Sequence, residues 1–287
     1  MSTVLVFGAG GAIGRFLLPR LAPVQSAIGV SRVARAGEPG WITGDLNDHG
    51  AMWPQAEIVI SLGPLDAFAA WLQRYPAATL QRVVAVSSMS AESKRESADP
   101  YERALARRLR DAETSVMETA AARGFACTLF RPTLIYGAGN DRSLAPIARF
   151  ARRWRILPVP RGADGLRQPV HARDLADACT AVLGNPATFG KTYPLGGGEC
   201  LRFDAMLLRL RASLPGVVLP LPLPMNALLL AARWQRNPAF STAAIARLRL
   251  PLVADNAAAE HDFGFAPAPF IASDVLPAGF ASGYISI

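Results

Sequence analysis

The stretch Val4-Leu-Val-Phe-Gly8-Ala-Gly-Gly11-Ala-Ile-Gly14-Arg-Phe-Leu-Leu constrains this chain more than any other. A short apolar, β-prone run ends in spaced glycines, and an amphipathic helical pattern follows at once. That order predicts a buried strand, a tight turn and a helix start. Gly8 permits the sharp turn, Gly11 lets the backbone approach a pyrophosphate, and Gly14 lets helix and strand pack closely. The helix N-terminus, entered through Ala12 and Ile13, offers free N–H groups and a positive dipole end to phosphate oxygens. A glycine triplet alone is weak, but one set between a strand and an amphipathic helix points to a dinucleotide.

The pattern continues downstream. Candidate strands at Val4–Phe7, Ala27–Ser31, Trp41–Thr43, Ile58–Ser61, Val83–Ser87 and Cys127–Arg131 alternate with candidate helices at Ala12–Leu21, Leu65–Tyr75 and Tyr101–Arg123. Such alternation predicts an α/β fold, a Rossmann-type doubly wound parallel sheet. After Pro132 proline and glycine become frequent, and helices are expected at Ser143–Arg153, Ala172–Leu183, Phe203–Ser213 and Thr242–Leu248. The expected division is a dinucleotide-binding domain over residues 1–170 and a small C-terminal substrate lobe over 171–287, with segments returning to the main sheet. At 287 residues and 51% hydrophobic content, the chain can bury both cores.

The end of the second strand selects the cofactor. An acid there would accept hydrogen bonds from the 2′-hydroxyl of NAD; this chain has Ser31-Arg32, with Arg35 close by. A guanidinium suits a 2′-phosphate and the small serine leaves room for it, which favours NADP with NAD as the alternative.

Further motifs appear in a characteristic order: Gly44-Asp45-Leu46, Ser87-Ser88, Arg131-Pro132-Thr-Leu-Ile-Tyr136-Gly137, Pro169-Val170-His171-Ala-Arg-Asp174 and Tyr193-Pro-Leu-Gly196-Gly197-Gly198. Together with the glycine loop they resemble the extended or atypical short-chain dehydrogenase/reductase superfamily, on its NAD-dependent epimerase/dehydratase branch. The resemblance runs from residue 3 to about residue 200. It implies that Asp45 and Leu46 flank the adenine, Gly63 lies near the ribose and Pro132 near the nicotinamide. Ser88 matches the serine that polarises a substrate oxygen. His171 reads equally as a structural residue, and Asp174 as an N-terminal helix residue.

One departure bears on chemistry. The superfamily pairs a tyrosine with a lysine four residues on, one helical turn away, so that the lysine charge lowers the tyrosine pKa. Tyr101 stands at a plausible distance after Ser88 and is the candidate proton donor, but Leu105 occupies the lysine position. Anchoring instead on Ala112-Glu113 puts Leu105 and Leu109 at the two positions. Arg108 or Lys94 are substitutes for the missing charge. Two functions follow: an NADP-dependent oxidoreductase or epimerase acting on a sugar nucleotide or small carbonyl compound through Ser88 and Tyr101 or water, or an NADP-binding sensor or assembly subunit without turnover.

The net charge is +8, concentrated at Arg103–Arg110 and Arg149–Arg155. Neither cluster reads as a single-strand stacking platform, so a small-molecule partner, anionic if these arginines face it, is expected rather than nucleic acid. The helix over Asp141–Arg155, with Arg142, reads first as a basic exposed face. The apolar segment Val217–Trp234 is broken by Pro220, Pro222 and Pro224, which argues against a transmembrane helix. Burial in the lobe is expected for it, with a partner subunit, as in a homodimer, or a membrane surface as alternatives. Three scattered cysteines, isolated histidines and the absence of a basic leader before Thr3 predict a reduced, cytoplasmic protein without a metal site.

Overall fold

A computed structural model describes residues 2–276 apart from 24, 36, 37, 39, 77, 142 and 235–241, with the backbone alone for 231–234. Arg142 and the side chain of Trp234 therefore lie outside the described residues. The first half runs β1 (Thr3–Phe7), α1 (Gly14–Leu21), β2 (Ser26–Ser31), β3 (Trp41–Thr43), β4 (Ile58–Ser61), α2 (Leu65–Arg74), β5 (Arg82–Val86), α3 (Ser90–Ser93), α4 (Pro100–Arg123) and β6 (Ala126–Pro132). The second half holds β7 (Ile135–Tyr136), α5 (Leu144–Trp154), β8 (Ile156–Arg161), β9 (Leu166–Arg167), β10 (Val170–His171), α6 (Ala172–Ala181), β11 (Lys191–Leu195), β12 (Leu201–Arg202) and α7 (Phe203–Ser213). It continues with β13 (Leu219–Pro224), α8 (Met225–Trp234), α9 (Thr242–Ala246) and α10 (Ala257–Phe263).

Seven strands form one sheet in the order β11-β6-β5-β4-β1-β2-β3, every pair parallel. The chain moves outward from β1 through β2 and β3, then returns to β4 on its other side. That reversal leaves a crevice beyond the carboxyl ends of β1 and β4, where doubly wound sheets bind ligands. Strands β1, β4 and β5 are almost wholly buried because helices cover both faces. On one face Leu17, Leu21, Leu175, Cys179 and Phe265 pack under α1, α6 and α10. On the other, Phe68, Trp71, Leu72, Ala112 and Val116 of α2 and α4 pack against β1, β4 and β5.

Helix α4 starts where its sequence says it should. Asp99 caps it by accepting the Tyr101 N–H at 2.8 Å, Pro100 takes the first turn, and Gly124 closes it at φ +74°.

The lobe is discontinuous in sequence. Its core joins Leu144, Ala148 and Leu157 to Leu207, Leu210 and Phe270, so α5 and β8, which precede residue 170, belong to it. Conversely α6, β11 and α10, which follow residue 170, complete the main sheet and its cover. The chain thus crosses a boundary at 170 in both directions. Among the described residues, no helix is long and apolar enough to cross a membrane.

Candidate cofactor and substrate site

Gly8, directly after β1, adopts φ +71°, a conformation costly to any residue with a side chain. Its carbonyl accepts the Gly11 N–H at 2.9 Å, closing the turn. A Cβ on Gly8 would lie 3.0 Å from the Leu62 carbonyl carbon and 3.1 Å from the Gly63 nitrogen, so the β1 and β4 ends approach backbone to backbone. Gly14 is tighter still: a Cβ there would sit 2.1 Å from the Ala9 oxygen. Ala12 and Ile13 then lead into α1, which begins without a side-chain cap. The Arg15 and Phe16 N–H groups donate to the Gly11 and Ile13 oxygens at 3.3 and 3.0 Å, so an anion at this terminus would meet the N–H groups that precede them.

Around this turn the structure gathers several of the expected residues. Leu46 is buried, and its Cδ1 lies 3.8 Å from the position of a Gly63 Cβ. Asp45 accepts from the Asn47 N–H and side-chain amide at 2.9 and 3.0 Å, closing the turn after β3. Ser31 accepts the Val33 N–H at 3.2 Å, while Arg32 points into solvent.

The cation that approaches the loop is Arg35. Its guanidinium stacks on the Trp41 ring at 4.1 Å, and one terminal nitrogen lies 3.0 Å from where a Gly10 Cβ would stand. The opposite nitrogen pairs with Glu38 at 3.2 Å. The Nε is buried without a hydrogen-bond partner. A glycine at residue 10, a stacked guanidinium over it and an orphaned donor make a cradle whose chemistry fits a phosphate monoester.

At the other end of the crevice Ser88 and Pro132 come together: the Met89 N–H donates to the Pro132 oxygen at 3.0 Å, and Ser88 Oγ accepts from Ser90 N–H at 3.1 Å. Behind them lies a charged network. Buried Glu113 accepts from Arg131 Nε at 2.9 Å and from its Nη2, and also from the Ser87 hydroxyl. Arg131 reaches Glu92 of α3 at 2.9 Å.

This network sets the face of α4 that looks inward. Glu102, Ala106 and Glu113 are buried, Leu105 and Leu109 half-buried, and Tyr101 is 63% exposed. Among the described residues no hydrogen bond joins the Tyr101 side chain to Ser88. Arg108 is paired with Asp66 at 3.2 Å, beside an outer groove of about 420 Å³ between α2 and α4. Lys94 pairs with Glu102 at 3.9 Å, and Arg247 of the lobe ion-pairs with the same carboxylate. Burial first, then the neighbouring Arg247 cation, draws the Lys94 ammonium below the usual lysine range. Glu102 and Arg247 had no signal in the sequence, because the pair links positions 145 residues apart.

His171 has a structural seat. Its Nδ1 accepts the Arg173 N–H at 3.0 Å, capping α6, and its ring fills the space beside Gly137 between Phe16 and Tyr136. Asp174 accepts the Ala268 N–H at 3.0 Å, which fastens the C-terminal segment to α6.

A seven-stranded parallel sheet with this glycine turn at its switch point defines a Rossmann-type doubly wound fold. Residues 72–196 match the NAD dependent epimerase/dehydratase family. That match spans less than half of the chain and takes in the Ser87-Ser88, Arg131–Gly137 and Pro169–Asp174 motifs, in line with the resemblance that the motif order implies.

Similar solved structures share the fold at low identity. A short-chain dehydrogenase/reductase superfamily protein of Agrobacterium tumefaciens with bound NAD is 15% identical, with 96% of this chain and 94% of that one covered, at TM-score 0.68. RMD of Pseudomonas aeruginosa, complexed with NADPH, is 15% identical with 96% and 97% covered, at TM-score 0.63. UDP-glucuronic acid 4-epimerase of Bacillus cereus, in complex with NAD, is 13% identical with 97% and 95% covered, at TM-score 0.68. Among curated proteins, the mitochondrial NADH dehydrogenase [ubiquinone] 1 alpha subcomplex subunit 9 of Arabidopsis thaliana is 37% identical over 73 residues. That match spans 25% of this chain and only 18% of the relative.

Proposed function

We propose that the protein binds NADP(H) in the crevice above β1 and β4 and acts as an oxidoreductase or epimerase on a hydroxyl or carbonyl group. The observation that carries this reading is Arg35 stacked on Trp41 over Gly10 with its Nε unpaired. Gly8, Gly11, Ala12, Ile13 and Gly14 would hold the pyrophosphate, and Ser31, Arg32 and Arg35 the 2′-phosphate. Asp45 and Leu46 would flank the adenine, with Gly63 at the ribose and Pro132 at the nicotinamide. The cofactor, when bound, supplies a ring that exchanges hydride with carbon.

The chain's own part is polar and positional. Ser88 Oγ would hydrogen-bond the substrate oxygen and stabilise charge that develops on it. The proton would come from water, since Tyr101 projects outward and leucines stand at residues 105 and 109. A sugar nucleotide or a small carbonyl compound suits the fold class and the surplus of arginine.

A second reading is favoured by those same leucines and by the short match to an NADH dehydrogenase [ubiquinone] subunit: a protein that keeps the cofactor fold for assembly or sensing. Loss of 340 nm absorbance with NADPH and a panel of aldehydes, ketones and oxidised sugar nucleotides separates the two. The enzyme reading expects substrate-dependent oxidation that Ser88→Ala lowers about a hundredfold and Tyr101→Phe leaves intact. No turnover with any substrate class, despite cofactor binding, supports the second.

A further inference from the structure

Two long stretches of the lobe carry charge of one sign. Residues 142–163 and 205–254 contain no Asp or Glu, yet hold twelve arginines and no lysine. The whole chain has 22 acidic residues against 30 basic ones, so these stretches depart from the overall composition, while lobe acids such as Glu199, which pairs with Arg209, lie between them.

The two acid-free stretches meet. Strand β13 pairs with β8 in parallel, Leu219 opposite Ile156 and Leu221 opposite Pro158. The Leu219 N–H donates to the Arg155 oxygen at 2.9 Å, and Arg155 Nη1 donates to the Pro215 oxygen at 2.7 Å. Just before Arg155, the last turn of α5 leaves Arg152, Arg153 and Trp154 in solvent, with Phe150 and Trp154 rings 6.4 Å apart. Trp154 is 59% exposed, Val217 77% and Leu219 60%. Burial of the 217–234 segment, the expectation from its apolarity, therefore fails along β13. Met225 and Leu228 of α8 are buried, but the strand before them faces water.

The chemistry of that strand narrows the partner. Parallel pairing points alternate backbone groups to opposite edges, and the leucine N–H groups face β8. Pro220, Pro222 and Pro224 then occupy the positions that would present N–H groups outward. Such an edge cannot be extended by another protein strand. What is left is a strip of exposed aliphatic side chains beside a tryptophan and a cluster of arginines. Phe150 and Trp154 are exposed aromatics among these arginines, contrary to the expectation from the sequence. The longer aliphatic strip beside them offers bases nothing to stack on, which favours lipid over single-stranded nucleic acid. Tryptophan at the rim, arginines around it and apolar side chains between them match the boundary between headgroups and acyl chains.

We infer that the β13 strip and the end of α5 form a peripheral docking surface for an anionic phospholipid bilayer. Val217, Leu219 and Leu221 enter the headgroup layer, Trp154 anchors at its edge, and Arg152, Arg153 and Arg155 meet lipid phosphates. Two weak signals, apolar insertion and electrostatic attraction, act together, so that attachment is reversible. The surface is independent of the chemistry in the crevice.

The test is co-sedimentation of the full chain with phosphatidylcholine–phosphatidylglycerol vesicles, against pure phosphatidylcholine vesicles, at low and high salt. The expected result is binding to the mixed vesicles that high salt weakens, with little binding to the neutral ones. Arg152→Gln and Arg153→Gln should each lower the partition coefficient about fivefold, and Leu219→Ser should lower it at every salt concentration. Arg107→Gln, on the exposed side of α4, should leave it unchanged. All four side chains are exposed, and unaltered thermal melts show that the variants fold. Equal binding to both vesicle types, no binding at low salt, or an undiminished partition in both arginine variants would overturn the proposal. So would capture of single-stranded RNA by a chain that ignores anionic vesicles.

Discussion

Glu113 accepts the Nε–H of Arg131 at 2.9 Å and that arginine's Nη2 with its other oxygen. This two-point contact joins the middle of α4 to the end of β6 and fixes which residues of the helix look inward. It places Leu105 and Leu109 two turns and one turn before Glu113 on the same face of α4, both half-buried. Glu113 is nearly fully buried and also takes the Ser87 hydroxyl, so the acid has no alternative water shell.

Removing Glu113 strips Arg131 of its two-point partner and leaves it only the more exposed Glu92. Glu113→Ala should destabilise the fold by about 3 kcal/mol in urea unfolding. Arg108→Ala breaks only the exposed pair with Asp66, and should cost less than about 1 kcal/mol. Similar costs for the two variants would mean that Glu113 does not set the helix register.

The same register predicts a gain of function. Leu105→Tyr with Leu109→Lys puts a phenol and an ammonium four residues apart on the inward side. With NADPH and a carbonyl substrate, the double variant should outpace the parent by about a hundredfold, with a rate that falls as the phenol loses its reducing-direction proton at high pH. Adding lysine at residue 105 after Tyr101 should yield no such gain, because Tyr101 is turned to solvent.

Glu38 competes for Arg35. The pair is half exposed, and a 2′-phosphate would take the place of the Glu38 carboxylate. Glu38→Gln should tighten NADPH by up to about fivefold, in line with a surface ion pair, and leave NADH nearly unchanged. Binding competition with a fluorescent nucleotide reads both. Tighter NADH with unaltered NADPH would mean that Glu38 acts on the ribose hydroxyls instead.

His171 governs one limb of the pH dependence. Burial, then the Arg173 cation, lowers its pKa in the fold, so the unfolded chain binds the proton more readily. Stability tied to this residue is complete above the unfolded value of about 6.5 and is lost as pH falls toward the lower folded value. The melting temperature should decline over that range. His171→Asn keeps an acceptor for the Arg173 N–H and should remove the decline, whereas a persistent slope would assign it to another group.

Much of the main sheet was legible. The strand at Ile58–Ser61 is found at those residues, and the one expected at Val4–Phe7 begins a residue earlier, because alternation of apolar runs with helical periods is a local signal. The glycine turn was legible for the same reason. Arg35 was visible only as a neighbour of Arg32; that it faces the loop depends on Trp41, which arrives from the next strand. The inward face of α4 was ambiguous between two registers until Arg131 met Glu113 across the fold. The lobe was least legible, since its core joins α5 to α7 and Phe270, and prolines in β13 hide an edge strand under an apolar run.

Calorimetric titration of the wild-type protein with NADPH and with NADH tests the central claim most directly. The account predicts that NADPH binds about ten- to a hundredfold more tightly, the worth of a charge-assisted contact to the 2′-phosphate, and that Arg35→Ala removes the difference. No heat from either nucleotide, or equal affinities that Arg35→Ala does not change, would contradict it.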